Sequence, residues 1–457
     1  MTLLLFILDA AIIFSVLWIL VKITRRIVQT RAVLSKDVLI AMFTVAYVVP
    51  LIGMNLYGYA TWTRYPLTDN SLYRAIQSTD VQLQYRLFVG LTILAVYWLG
   101  SSRKLEAGLK SGMLGVWRQQ YLNLPLYPVH PMIRQIYTVC WLVLLATPLT
   151  VLLSPNPAAY LVYVTPSERF GGSDWALSIH SIISMFCLLA VGAYAFILWV
   201  KIRENRRLLH GIIIFAMILA MIACYIHGKR SIVFLFMLTT GAVAYLEGAL
   251  RPRHIVAGIV ALVAFMQVYV ALFKGGDGTS SVYGDLFRDY TLLPVIAGAD
   301  WTSHEAMPRG SGFLFQFLFW VPRAVWPAKP WPTPEYVTPW IIGTEQDLAW
   351  GFGLGYLEDG MANFGYVGAV AYIAAVILVC RLLDTQIYLK SRNLMIILWL
   401  PLAYGCVFAF SVVIKHLLFI VTPVLVAAMI VSNPRNWGIA GVRDASAGAV
   451  PEAGTQV

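Results

Sequence analysis

The sequence has little charge, few cysteines and none of the short motifs that mark metal or nucleotide sites. Charged residues make up 12% of the 457 residues and hydrophobic residues 60%, a balance that excludes an ordinary soluble domain. No Walker sequence, Asp-x-Asp pair or His-Glu-x-x-His occurs, so the sequence predicts neither a metal nor a cofactor. The five cysteines lie in or beside apolar stretches without zinc-type spacing, which predicts small hydrophobic side chains and no disulfide framework.

Long apolar runs are abundant. Because about twenty apolar residues cross roughly 30 Å of hydrocarbon, these runs predict an all-α polytopic membrane protein with about 11 transmembrane helices. The third run is short, and we expect Gln82–Arg86 to extend it. The predicted spans are Leu3–Val21, Val38–Tyr57, Leu87–Leu99, Ile136–Leu153, Ala176–Val200, Gly211–Ile226, Ile232–Leu246, Ile255–Phe273, Phe364–Cys380, Met395–Ser411 and Leu417–Val431.

Four regions follow from this pattern. Residues 1–273 hold the first eight helices, and residues 274–363 form a large polar loop between the eighth and ninth helices. Residues 364–433 hold the last three helices, and residues 434–457 are predicted to be a disordered tail. A long loop that is this aromatic is typical of function rather than of disorder. We interpret it as a catalytic or substrate-holding cap.

The distribution of Lys and Arg predicts the orientation. Most cations follow the odd-numbered spans, which places those loops in the cytoplasm, the N-terminus outside and the C-terminus inside. The net charge of +11 therefore needs no nucleic acid as a partner; topology and contact with membrane lipid explain it. The first span has basic residues after it and none before it, which favours a retained helix over a signal peptide.

A smaller set of cations lies on the predicted outer side. Lys229 and Arg230 occupy one short turn, and Lys415 and His416 another, while the large loop adds three more candidates, Arg288, Arg323 and Lys329. One explanation is that these side chains reach outer-leaflet headgroups. The other is that the turns converge on one anionic ligand, since Arg binds phosphate through two parallel hydrogen bonds. A pyrophosphate carried on a lipid would suit that geometry.

The large loop also holds ten of the 22 acidic residues. Most loop acids are simply solvated, but Asp289 opens the apolar stretch up to Ala299, and Glu358 and Asp359 precede the ninth span. Each is a candidate general base if its neighbours hold it near a bound hydroxyl. His304 is a further acid–base candidate, with a hydrogen-bonded surface histidine as the alternative.

Aromatic residues punctuate the same loop. Trp326, Trp331 and Tyr356 suit stacking on sugar rings, whose hydroxyls would use nearby acids and amides such as Asn363. A membrane-interface belt is the alternative for these aromatics.

Three strings together resemble a known family. They are Gly228–Ser231 (G-K-R-S), Val321–Pro330 (V-P-R-A-V-W-P-A-K-P) and Asn363–Gly368 (N-F-G-Y-V-G). With the many helices and the large external loop, they resemble the bacterial Wzy-type O-antigen polymerases, which include the enterobacterial common antigen polymerase. The resemblance covers roughly Tyr225 to Ile430.

The resemblance implies a GT-C-like glycosyltransferase in the bacterial inner membrane, acting at the periplasmic face without metal or nucleotide. Its donor would be a growing glycan on undecaprenyl pyrophosphate, and its acceptor a repeat unit on the same lipid. Cations contribute most to rate where they stabilise the leaving pyrophosphate. In this sequence that group would be held by Arg230 with Lys229, and by Arg288, Arg323 and Lys329. Lys415 and His416 lie where relatives carry a cation. A chain-length regulator and a flippase are candidate partners.

Several functions stay open at this stage. An O-antigen ligase uses the same donor and chemistry with a different acceptor. A flippase or secondary transporter would need charges inside the spans and broken helices in paired positions, and the sequence indicates few mid-span charges and no internal repeat. A structural subunit of a polysaccharide assembly would leave the outward cations unexplained.

Overall fold

The computed structural model of the protein describes most of its first half and parts of the region up to residue 388. Every regular element in the described residues is helical. The predicted spans Ile255–Phe273, Met395–Ser411 and Leu417–Val431 lie outside them. The described residues are 2–30, 34–57, 71–110, 131–160, 174–205, 211–228, parts of 232–250, 289–298, 308–318, 321, 325–342 and 354–388.

Thirteen α-helices are described. They are α1 (Thr2–Thr30), α2 (Ser35–Phe43), α3 (Val49–Tyr57), α4 (Ser71–Gln77), α5 (Thr79–Leu99), α6 (Arg103–Lys110), α7 (Pro131–Leu149), α8 (Asp174–Asn205), α9 (Gly211–His227), α10 (Asp289–Ala297), α11 (Ser311–Leu318), α12 (Thr333–Ile342) and α13 (Tyr356–Tyr388). Short 3-10 turns follow α7 at Thr150–Leu153 and Pro157–Tyr160, and a π turn, Thr44–Val48, joins α2 to α3.

Five helical stretches are long and apolar enough to cross a membrane. They are Leu3–Thr30, Ser35–Met54, Arg134–Leu153, Ile182–Ile202 and Tyr356–Leu382. Large apolar side chains such as Phe14 and Leu152 are exposed on these helices, as contact with lipid requires. A helical membrane protein is thus confirmed, while the total of about 11 spans stays a prediction.

One hydrophobic core joins the two ends of the described chain. It unites α1, α2, α3 and α5 with α10, α12 and α13, which are more than 180 residues further along the chain. Helix α10 is almost fully enclosed; Tyr290, Leu292 and Leu293 are all buried. The large loop therefore includes helices that pack into the same hydrophobic core as α1, α2, α3 and α5, while its role as a substrate-holding cap stays a prediction.

A second core is formed by α7, α8 and α9. Tyr194 and Trp199 on α8 are fully buried in it, and Trp141 on α7 stacks on Phe215 of α9 with ring centroids 5.9 Å apart. The hydroxyl of Thr147 donates to the Phe186 carbonyl at 3.3 Å, which links α7 to α8.

Helix α13 is broken inside its apolar length. Phe364 has φ −142° and ψ 17°, and Gly365 has φ 67° and ψ −157°, a conformation that essentially only glycine adopts. The backbone after the break packs against the backbone before it. A Cβ on Gly360 would lie 2.7 Å from the Gly368 carbonyl oxygen. The ninth predicted span begins at this break, and the segment before it, which the sequence assigns to the loop, is helical as well.

Charged groups are fixed where α2 meets α1, α6 and α13. The Asp37 carboxylate pairs with Arg26, and the Lys36 ammonium donates to Glu106 at 3.0 Å. The backbone N–H and hydroxyl of Ser35 both donate to Asp384 Oδ1, at 2.9 and 2.8 Å. Burial raises the pKa of Asp384 to about 7, although the hydrogen bonds from Ser35 oppose this shift.

Candidate functional site

Glu358 lies at the centre of a buried polar cluster. Its side chain is 0% exposed, and each carboxylate oxygen accepts a hydroxyl hydrogen bond. Tyr47, in the π turn, donates to Oε2 at 2.7 Å, and Thr291 on α10 donates to Oε1 at 3.1 Å. Two segments that are far from Glu358 in the sequence therefore hold its carboxylate.

Tyr85 on α5 extends the cluster. Its hydroxyl donates to the Tyr47 carbonyl oxygen at 2.9 Å, and its side chain is fully buried. The charges that act on this hydroxyl include those of Asp289, Arg86 and Glu358. Asp289 and Glu358, both predicted as candidate bases, are therefore close to the same tyrosine.

A buried ion pair adjoins this cluster. The guanidinium of Arg86 binds the Asp9 carboxylate through two hydrogen bonds. Nε donates to Oδ1 at 2.7 Å, and Nη2 donates to Oδ2 at 3.0 Å. Arg86 also donates to the Gln82 carbonyl at 3.1 Å. Both charged side chains are nearly inaccessible, at 2% for Asp9 and 7% for Arg86. Asp9 lies well inside the span Leu3–Thr30, so this pair includes one of the few mid-span charges that the sequence indicates.

Asp359 faces a different set of groups from its neighbour Glu358. Gln316 on α11 donates to Asp359 Oδ2 at 2.7 Å, and the Asn363 amide donates to Oδ1 at 3.2 Å. The same amide donates to the Thr333 hydroxyl at 3.0 Å and accepts from the Phe313 N–H at 2.9 Å. Asp359 and Asn363 thus fasten α11 and α12 to α13 just before its break.

Close packing supports this attachment. A Cβ on Gly312 would lie 2.0 Å from the Thr333 hydroxyl oxygen, so only glycine fits between α11 and α12 there. The ring of Phe313 packs on those of Phe364 and Tyr372, with centroids 5.7 and 6.1 Å away. The break in α13 is thereby enclosed on the side of the loop helices.

No family model, curated protein or solved structure matches the chain. The geometry of the cluster itself indicates what chemistry it can do. A carboxylate held by two hydroxyl donors, and shielded from bulk water, can accept a proton from a substrate hydroxyl that is brought to it. Within the described ranges, no three His, Cys, Asp or Glu side chains are grouped to hold a metal ion.

Besides the three acids, five other predicted site residues are described. The Lys329 ammonium donates to the Val321 carbonyl at 2.8 Å and is largely buried, so it braces the loop backbone in this structure. Tyr356 is buried in the core, and the Asn363 amide bonds to protein groups, so stacking or sugar binding by these two residues stays a prediction. Trp331 is 47% exposed and Trp326 partly exposed, so both remain accessible for stacking.

The remaining predicted residues lie outside the described part of the chain, and their convergence stays a prediction. They are Lys229, Arg230, Arg288, His304, Arg323, Lys415 and His416.

Sequence reasoning missed several groups that build the cluster. Tyr47 lies inside a predicted span, Tyr85 lies in the extension of another, and Thr291 lies in an apolar stretch, so none of them is marked as a site residue. Two signals were present, however. Asp9 is the single charged residue between Thr2 and Val21, and Arg86 lies in the extension of a short span. Ionisable residues at such depth generally have a buried partner.

Proposed function

We propose that the protein is a membrane-embedded polysaccharide polymerase in which Glu358 is the general base. A hydroxyl of the acceptor repeat unit would attack the anomeric carbon of a glycan carried on undecaprenyl pyrophosphate. The new glycosidic bond forms while the bond from that carbon to the pyrophosphate oxygen breaks, and the electron pair leaves with the lipid pyrophosphate. The hydroxyl proton passes to Glu358.

The observation that carries this proposal is the setting of Glu358. A solvated loop acid would be exposed and loosely held, whereas Glu358 is enclosed with Tyr47 at 2.7 Å and Thr291 at 3.1 Å. Such fixed donors orient a base and keep bulk water from competing with the acceptor hydroxyl. The identity of the substrates rests on the family resemblance and not on this geometry.

The complete burial of Glu358 adds a requirement. A base must come within about 3 Å of the hydroxyl that it deprotonates, and Glu358 is 0% exposed. Polymerisation therefore needs a second conformation in which the acceptor reaches this carboxylate. The break at Phe364–Gly365 is a backbone position where α13 can bend to give access.

Stabilisation of the leaving pyrophosphate belongs to the predicted outer cations. Arg230, Arg288 and Arg323 are the candidates, because guanidinium groups bind phosphate oxygens in pairs and stay charged. Developing negative charge on the leaving group is where these cations lower the barrier most.

The test is a glycan gel of cells that produce single-residue variants at equal levels by blot. Glu358→Gln keeps the shape of the side chain but cannot accept the proton, and we expect at least a hundredfold loss of elongation. Arg230→Ala and Arg323→Ala should likewise lose the long-chain ladder while single repeats persist. Asp80→Asn, an exposed acid at the start of α5, is the control and should keep the ladder.

An unchanged ladder in Glu358→Gln would overturn the role of Glu358. An unchanged ladder in both arginine variants would contradict pyrophosphate binding by these cations and favour contact with lipid headgroups as their role. Transfer of single repeats to a different acceptor, with no ladder in the wild type, would favour the ligase.

A transporter is the second candidate, and two observations favour it. The buried Asp9–Arg86 pair and the break in α13 are features that lipid and ion transporters place along their transport path. Proteoliposomes that contain the purified protein and lipid-linked repeat units separate the two functions. A polymerase lengthens the glycan, whereas a flippase moves unchanged repeat units to the other leaflet.

A further inference from the structure

Tyr47 occupies an unusual backbone position. In the π turn Thr44–Val48, the Val49 N–H bonds to the Thr44 carbonyl five residues back instead of four. Such a turn holds one extra residue, so the side chains that follow are rotated by about 100° compared with an uninterrupted α-helix. Single π turns inside α-helices are frequent at functional sites.

Both polar ends of Tyr47 are engaged. Its carbonyl oxygen accepts the Tyr85 hydroxyl at 2.9 Å, and its own hydroxyl donates to Glu358 at 2.7 Å. The ring is 0% exposed and packs on Phe43, with centroids 5.6 Å apart. Tyr47 therefore has little freedom, and it fixes the Glu358 carboxylate relative to α5.

Helix α10 holds the other side of the same carboxylate. The hydroxyl of Thr291, which is itself fully buried, donates to Oε1 at 3.1 Å. Glu358 is thus aimed by donors from two elements, while neighbouring Asp359 is held by amide groups of Gln316 and Asn363. Two hydroxyls that converge on one carboxylate hold it in a fixed direction, as an oriented base requires.

We propose that Tyr47 is a positioning residue for Glu358, and that the π turn serves to aim its hydroxyl at that carboxylate. This inference rests on the proposed function, because it assigns to Tyr47 an effect on the base. Tyr47 touches no reacting atom; it acts through Glu358. A merely structural tyrosine would contribute to folding and leave the chemistry of correctly folded molecules unchanged.

The experiment measures elongation by purified protein in proteoliposomes over a range of pH. The substrate is the lipid-linked repeat unit extracted from cells that lack this protein. We compare Tyr47→Phe with Tyr194→Phe, which removes a buried hydroxyl from the second core. Glu358→Gln reports separately on the base.

Tyr47→Phe should lower kcat roughly ten- to a hundredfold, because the carboxylate is no longer held in the direction of the acceptor hydroxyl, and leave KM within about twofold. Its pH–rate profile should also move to more alkaline pH, because the carboxylate loses a donor to its charged form. Tyr194→Phe should keep both the rate and the profile of the wild type.

A Tyr47→Phe protein with a wild-type profile overturns the proposal, even if less of it is active, since a structural role lowers only the active fraction. Full activity of Glu358→Gln instead refutes the proposed base, which is a separate failure. If Tyr47→Phe does not fold, Thr291→Val removes the other hydroxyl donor. It must then shift the profile in the same direction, and an unshifted profile overturns the inference.

Discussion

Replacement of Arg86 by leucine should destabilise the protein strongly. The variant removes the two hydrogen bonds and the ion pair that Arg86 makes with Asp9. The Asp9 carboxylate is 2% exposed inside the first candidate membrane span. Breaking a buried ion pair from one side costs about 3–5 kcal/mol, because the remaining charge has lost its partner. The donor to the Gln82 carbonyl is lost as well, so the cost should lie in the upper part of this range.

Unfolding of the purified protein by SDS in mixed micelles gives the free energy for comparison. Arg134→Leu is the control, because Arg134 is exposed on α7, and we expect a change within about 0.5 kcal/mol. The double variant Asp9→Leu/Arg86→Leu should recover most of the stability, since apolar side chains replace a buried pair at little or no cost. A loss below about 1 kcal/mol for Arg86→Leu, or a double variant as unstable as the single one, would refute the buried pair.

Two further predictions concern α13. Because burial raises the pKa of Asp384 to about 7, the native state holds its proton more tightly than the unfolded chain does, and stability should fall as pH rises from about 4 to 7 and then level off. Asp384→Asn should flatten this slope and stabilise the protein at pH 8 by on the order of a few kcal/mol; thermal unfolding across pH measures it, and an unchanged slope contradicts the assignment. Gly365→Ala should lower stability by about 1–3 kcal/mol through backbone strain alone, since φ is 67° and no atom lies within 4 Å of an added Cβ. Gly192→Ala, inside α8 with equally open space, should be neutral or stabilising, so equal losses in both variants would refute the strained break.

The helical architecture could be read from the sequence because a membrane leaves the backbone few choices. Unpaired N–H and C=O groups are too costly in hydrocarbon, so each long apolar run must form a helix. Seven predicted spans, from Leu3–Val21 to Phe364–Cys380, accordingly coincide with helices in the described residues. The acids Asp289, Glu358 and Asp359 could also be singled out, since each adjoins an apolar stretch that the chain must bury.

The partners of the buried acids Glu358, Asp384 and Asp9 could not be predicted from one sequence. Tyr47 is 311 positions from Glu358, Ser35 is 349 from Asp384, and Asp9 is 77 from Arg86. Nothing local in the chain marks these pairs, because each depends on which helices become neighbours. The π turn and the break in α13 are equally hidden, since Thr44–Val48 and Phe364–Gly365 read as parts of apolar runs.

Composition and the lengths of the apolar runs thus determined that this is a helical membrane protein and, within the described residues, where its long apolar helices lie. Tertiary structure alone decided which polar groups meet inside it. The physical reason is that burial of apolar surface depends on each segment by itself, whereas compensation of a buried charge depends on a second segment arriving with the right donor. For Glu358 those donors are Tyr47 and Thr291, and only the packing of α10 and the π turn against α13 brings them to it.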